Sequence, residues 1–446
     1  MKTHMKQAMK RVKNVLVGKK GDSMRKTMVL ITIGFGLCLL SSNLLAAETG
    51  DKETAKNSMS QVLAIGNAEL AVMLGEKPSA AEMRVTELLA ERIKDRADVA
   101  LAGPGDKAKF QIVIGKASSN ARIKEFAGAH KEVASLGSDG YVIAVETGYK
   151  EIHIAGQSDS GVVAGVGRLI REMRYQNGRV EVPSLNIAET PQMPNRGMYL
   201  WARKEFFGKP DQVDRYVEEF ALWGCNGIAL WFEMGMFKSF DDPEAKKWLD
   251  IYRRLYTTAK RMGMKTGLLM VMNDAYNTSP TEMRIKPIIG CPNHYLCPNK
   301  PGSAEQMIAW QEQVFKALPQ IDIFNKEYWK SLQAEMNDYS PELMKGGWPY
   351  SERWNTDLAS VMMLSWFWNP QKSAESVLDE YAVCYFGPQA AAARDLLDLL
   401  DDSNTDPQRK EMIVENLAKL EGSLPEWVKR DWRWAEIAES CRFRTR

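Results

Sequence analysis

Residues 194–274 read PNRGMYLWARKEFFGKP, DQVDRYVEEFALWG, CNGIALWFEMGMFKSFDDPEA, KKWLDIYRRLYTTAKRMG and MKTGLLMVMND. Val213, Tyr216, Val217, Phe220 and Trp223 recur at helical spacing, as do Trp248, Ile251, Tyr252, Leu255, Tyr256 and Ala259, so two helices each bury one face. Around them lie three short apolar runs that read as strands. Gly224 and Gly263 end the helices where a left-handed cap is wanted. Alternation of strand and helix with short links gives parallel strands joined by right-handed crossovers, the opening of an α/β barrel or a doubly wound sheet. Either way, chemistry belongs at the C-terminal ends of the strands.

The chain has 446 residues, 45% hydrophobic and 26% charged, enough for two or three domains. Its net charge of +2 arises largely before Met28, where Lys and Arg are opposed only by Asp22. The remainder is slightly acidic, which argues against a nucleic-acid partner. Met28 to Leu45 is apolar, follows Arg25-Lys26 and precedes Ala46-Ala47-Glu48, the pattern of a secretory leader over residues 1–47 with the natural start expected at Met24. A membrane anchor is the alternative reading. With the leader removed, no stable membrane insertion is expected, and the protein is expected to be secreted or periplasmic. Residues 48–60 read as a polar linker. Five cysteines follow the leader, Cys225, Cys291, Cys297, Cys384 and Cys441, too scattered for a disulfide framework, although one bridge is compatible with an oxidising compartment.

From residue 61 the pattern is strand, helix (Ala80 to Lys94), strand (Phe110 to Gly115), two strands (Gly140 to Val145, Glu151 to Ala155) and helix (Gly161 to Met173). This predicts a small α+β domain over 61–190. All 13 tryptophans lie at or after Trp201, a composition shift that marks the boundary with the next domain, 194–387. GQSDSG at 156–161 matches neither a dinucleotide nor a Walker spacing; Ser158 or Asp159 reads as a helix cap.

After Asp274 come a long loop, a helix (Ala304 to Ala317) and a fourth strand (Ile321 to Phe324), and there the rhythm fails. DLASVMMLSWFW at 357–368 reads as a helix or a buried strand, SAESVLDEYAVCYFG as a helix, and 388–446 as a helical tail. A full eightfold barrel takes about 250 residues and each unit about 30. Residues 194–387 are too few for eight units, so the predicted fold is α/β: an accessory α+β domain, an incomplete (β/α)8 barrel and a helical tail.

These features resemble the secreted glycoside hydrolases that place a hexosaminidase-type α+β domain before a (β/α)8 barrel, such as β-N-acetylhexosaminidases and α-glucuronidases. The resemblance rests on SDGYVIAV…KEIHIAGQSDSGVVAGVGRLIREM, on Met272-Asn273-Asp274-Ala275-Tyr276, on Leu296-Cys297-Pro298-Asn299-Lys300-Pro301, and on Gly347-Trp348-Pro349-Tyr350-Ser351-Glu352. It implies an oligo- or polysaccharide as partner and names no cofactor. It also has departures. The acidic stretch expected after the fourth strand is missing, Arg353 stands where relatives have Gly, and the sole Asp-Glu pair is Asp379-Glu380, within a helix.

Glycoside hydrolysis uses two carboxyl groups, roughly 5–5.5 Å apart for retention and 6.5–9.5 Å for inversion. The candidates are Glu233, Asp274 and Glu352, with Glu205 as a weaker fourth. Sugar faces pack on aromatic rings and sugar hydroxyls take planar polar partners. Trp201, Trp231, Tyr276, Trp348 and Tyr350, with Arg203 and Asn273, are the candidate contacts. Trp223, Trp248 and Trp310 read as core, and Arg196 as a structural ion-pair partner. Cys291, His294 and Cys297 lack a fourth ligand and the usual zinc spacing, so no metal is expected. The alternative to an enzyme is a non-catalytic saccharide-binding descendant or a shortened gene product without the strand-4 carboxylates.

Overall fold

Apolar residues at two-residue spacing build the first sheet. The computed structural model describes residues 62–103, 106–146, 148, 150–200, 210–271, 273–286, 294–324, 346–347, 350–351, 357–401 and 406–445. The expected leader and linker lie outside these residues.

The strands are β1 (Val62–Ile65), β2 (Leu70–Met73), β3 (Phe110–Gly115), β4 (Tyr141–Glu146), β5 (Glu151–Gly156), β6 (Arg174–Gln176), β7 (Arg179–Pro183) and β8 (Asn186–Glu189). Five of them pair in the order β2-β3-β5-β4-β8, with β2, β3 and β5 parallel and β4 and β8 antiparallel to their neighbours. A ribbon β1-β7-β6 stands beside it. Sequence periodicity did not predict β2 or the strands of 174–189, which are too short or too exposed to alternate clearly. Helix α1 (Ala80–Ala97) starts at a capping box between Ser79 and Glu82. Helix α2 is Ala121–Ala129. Helix α3 (Asp159–Glu172) is capped by Ser158, whose Oγ accepts from Gly161 N at 3.1 Å, so the GQSDSG segment is a helix start.

The second sheet contains β9 (Asn195–Leu200), β10 (Gly227–Trp231), β11 (Lys265–Leu269), β12 (Ile323–Phe324), β13 (Gly346–Gly347) and β14 (Tyr350–Ser351). Every pairing is parallel, in the order β12-β11-β10-β9-β13, with β14 also on β9. Helix α4 (Pro210–Leu222) joins β9 to β10 and α5 (Pro243–Arg261) joins β10 to β11, with α6 (Ser303–Ala317) before β12. Among the described residues no strand pairs beyond β12 or beyond β13 and β14. In this layer the described strands form a parallel sheet with helical crossovers.

One face of that sheet is covered. Met198, Leu200, Ile228, Leu230 and Leu268 are buried in one core with Val213, Phe220, Trp248 and Leu255 of α4 and α5. Tyr252 and Tyr256 of α5 donate from Oη to the carbonyls of Trp231 and Gly267, both at 2.6 Å. On the other face Tyr199, Ala229, Trp231 and Leu269 stay half-buried. Gly224 (φ +87°) and Gly263 (φ +72°) take the left-handed conformation expected of them.

The described residues after β14 are mainly helical: α7 (Asp357–Trp368), α8 (Ala374–Phe386), α9 (Ala390–Asp401), α10 (Pro407–Ser423) and α11 (Trp432–Thr445). Asp357 to Trp368, open between helix and strand in the sequence, is a helix. A single hydrophobic core runs from the first sheet through the second to α11, and residues from Ser60 onward form one compact unit. Arg196, fully buried, joins the two sheets. Its Nη2 lies 2.6 Å from Asp139 Oδ2, and Nε donates to Gly224 O at 2.9 Å.

Candidate functional site

The C-terminal ends of β10 and β11 lie side by side, with Trp231 in register with Leu269. After β10 the chain continues through Phe232 and Glu233 into a single 3-10 turn, Met234–Met236. After β11 it reaches Asn273 and Asp274. Asp274 is fully buried. Its Oδ2 accepts from Met234 N at 2.6 Å and its Oδ1 from Ala275 N at 2.9 Å, so the carboxylate ties the two strand ends together. Oδ1 also lies 3.0 Å from His294 Nε2. Burial pushes the Asp274 carboxyl up to about 6, against backbone N–H groups of Met234, Ala275 and Gly235 that favour its charge. Burial lowers His294 as well, opposed by Glu233 and assisted by Arg284. The ionised Asp274 accepts a hydrogen bond when His294 carries its proton on Nε2.

Gly235 makes this arrangement possible, because a Cβ there would overlap the His294 ring. The loop that brings His294 in is pinned at several points. Leu296 N donates to Asn273 O (2.9 Å), Ile285 N to Tyr295 O (2.8 Å) and Cys297 N to Met283 O (2.8 Å), while Ala275, Leu296 and Met307 bury a small core beneath it.

Glu233 is half-buried, and no hydrogen bond reaches its side chain among the described residues. Its pKa is raised, first by burial and then by the charge of Asp274, with His294 opposing. Trp231 is half-buried, its ring centroid 6.4 Å from that of Tyr199. Asn273 is half-buried with Nδ2 3.4 Å from Leu296 O. Tyr276, expected to face a ligand, is buried, packing edge-on against Trp310 of α6 at 5.2 Å. Trp201, Arg203, Glu205, Trp348 and Glu352 lie outside the described residues. Tyr350 is placed by its backbone alone, in β14 opposite Tyr199.

The structure brings together Glu233, Asp274, Trp231 and Asn273 of the expected set, and adds His294. In the sequence His294 stands out only as a possible metal ligand without enough partners. Its pairing with Asp274 spans 20 residues of loop, and no periodic pattern carries that contact. Among the described residues no three or more His, Cys, Asp or Glu side chains cluster to hold a metal ion. The four described cysteines, Cys225, Cys297, Cys384 and Cys441, are free thiols. Asp379 and Glu380 are ion-pair partners on α8: Asp379 faces Arg394, and Glu380 faces Arg171 and Lys372. Burial opposes ionisation of Glu380, but the two cations hold it at about 2.

No family model matches the chain, and no curated protein matches it in sequence. Solved structures do. A family GH115 4-O-methyl-α-glucuronidase with specificity for decorated arabinogalactans superposes with a TM-score of 0.51 at 10% identity, over 86% of this chain and 72% of that one. The fold is like that of this glucuronidase. The GH20 exo-β-N-acetylglucosaminidase of Vibrio harveyi matches at TM-score 0.43 and 14% identity, over 69% of this chain and 51% of its own. A Streptomyces plicatus β-hexosaminidase matches at 0.43 and 15%, over 59% and 55%. The chain spans about half the length of these two hexosaminidases.

Proposed function

We propose that this protein acts on oligo- or polysaccharide, cleaving glycosidic bonds by carboxyl acid/base catalysis, outside the cytoplasm as its leader-like N-terminus implies. One observation carries the reading. A half-buried carboxyl, Glu233, with its pKa raised, stands beside the buried Asp274–His294 pair at the C-terminal ends of adjacent parallel strands. A carboxyl whose pKa is raised by burial and a neighbouring charge is suited to give its proton to a departing sugar oxygen. Asp274 has no exposed surface, so its role is to orient His294 and, after burial itself, to help raise the Glu233 pKa. Trp231 beside Tyr199 offers a ring face for a sugar. Glu352 is the proposed opposing carboxylate. In this reading residues 61–190 are the accessory domain and 194–387 a shortened barrel domain.

The lack of the expected acidic stretch after the fourth strand favours a second reading, a saccharide-binding protein without turnover. Incubation with a panel of aryl glycosides and polysaccharides separates the two. Turnover that drops on the order of 10²-fold or more in Glu233→Gln supports the enzyme. Saturable binding with no product in the unaltered protein sinks it.

A further inference from the structure

His294 carries a second ring nitrogen, Nδ1, that the pairing with Asp274 leaves unused. At neutral pH Asp274 is largely ionised, its pKa being about 6. A carboxylate has no proton to give, so in the 3.0 Å contact between Oδ1 and Nε2 the imidazole is the donor, and a neutral ring then keeps its lone pair on Nδ1. Burial and the charge of Arg284 both disfavour the imidazolium, with Glu233 opposing. Arg284 is itself taken up by the loop, donating from Nε to Ser279 O at 3.0 Å and from Nη2 to Asn277 O at 2.9 Å.

The ring is held in place while Nδ1 is left free. Its Nε2 end rests on Gly235, where a Cβ would overlap it, and the Tyr295 ring packs edge-on at 5.1 Å. Ser279 Oγ donates to the His294 carbonyl at 3.3 Å. No hydrogen bond reaches Nδ1 among the described residues, and the side chain keeps 15% of its surface, so this nitrogen stays open to solvent. Glu233 is near enough for each group to shift the titration of the other. A lone pair on a ring already fixed loses little orientational freedom when a hydroxyl donates to it.

We infer that His294 is a specificity-determining residue whose Nδ1 accepts a hydrogen bond from one hydroxyl of the sugar bound beside Glu233. The inference rests on the saccharide reading above and holds for an enzyme and for a binder alike. A site built to accept from a hydroxyl rejects the analogue that lacks it, because the fixed acceptor is then left without a donor.

The test is calorimetric titration of the full chain with the methyl glycosides of glucose, galactose, N-acetylglucosamine and glucuronic acid, and with their monodeoxy and monofluoro forms, which cannot donate at the altered position. Loss of one particular hydroxyl is expected to weaken binding roughly 5–20-fold more in the unaltered protein than in His294→Phe. Equal losses in the two proteins overturn the inference and leave the saccharide reading standing. Binding of none of these sugars also overturns it, and the polysaccharide panel then decides separately on the saccharide reading. His294→Phe that binds normally but turns over slowly assigns proton transfer to His294 and overturns the acceptor role. Nitrogen NMR of the histidine-labelled protein at neutral pH is expected to show the Nε2–H tautomer for His294, and the Nδ1–H tautomer overturns the inference. If His294→Phe does not fold, the Nδ1 resonance of the unaltered protein decides. It is expected to move on adding the parent sugar and to stay in place with the form lacking that hydroxyl.

Discussion

At Asp274 burial and hydrogen bonding pull in opposite directions, and burial prevails. The carboxylate accepts from two backbone N–H groups and faces His294, yet its pKa rises to about 6 because no solvent reaches it. The sign of the linkage follows. A folded value above the ordinary 3.8 means that the associated stability is fully present below about pH 3.8 and is lost as pH rises through 6. The whole effect is about 3 kcal/mol, of which about 2 kcal/mol falls between pH 4 and 7. Urea unfolding of the unaltered protein and of Asp274→Asn at those two pH values should show the unaltered protein losing that amount relative to the variant. A difference that does not change with pH would contradict the assignment. Asp274 and Glu233 were legible as candidates because each follows an apolar strand run. Their division of labour was not, because exposure separates them and exposure is set by the loop that carries His294.

At the scale of elements, the helix ends of the second layer carry information in both directions. Gly224 ends α4 with φ +87°, and its carbonyl accepts from Arg196 Nε at 2.9 Å. A Cβ at this position would also overlap the indole of Trp368 on α7. Gly224→Ala therefore combines a left-handed backbone penalty with a steric one, and should destabilise the protein by about 2–3 kcal/mol in guanidinium unfolding. Trp368→Phe in the same background should recover part of that loss. Full recovery would show that the indole, and not the backbone, sets the cost. The glycine was visible in the sequence as a cap, whereas Trp368 was not visible as its neighbour. Strands β9 to β11 and helices α4 and α5 were legible because each repeats its period several times. Strands β13 and β14, two residues each, are too short to show any period, and only pairing with β9 defines them.

Across the whole molecule, Glu219 holds distant parts of the chain together. It meets Arg92 of α1, Arg433 of α11 and Tyr385 of α8, while Asp357 of α7 takes Arg433 Nε at 2.8 Å. Burial alone would raise Glu219, but Arg92 and Arg433 hold it at about 2. That lies below the ordinary 4.5, so its stability contribution is fully present above pH 4.5 and lost as pH falls toward 2. Unfolding free energy should fall by about 2 kcal/mol from this group between pH 5 and 3, and Glu219→Gln should lack that component while being less stable at pH 7. An acid limb identical in the two proteins would show that the latch does not form.

Periodicity and glycine punctuation by themselves determined the alternation of strand and helix over 194–274, the α+β character of the segment before it and the helical run after it. These are local properties, written within a few turns of chain. The tertiary structure alone decided that β13 and β14 pair with β9, that Tyr276 is covered, that Asp274 is buried against His294, and that Glu219 meets Arg92 and Arg433. Each of these depends on contacts between segments far apart in the chain, where desolvation and packing choose the partner and no local pattern records the choice.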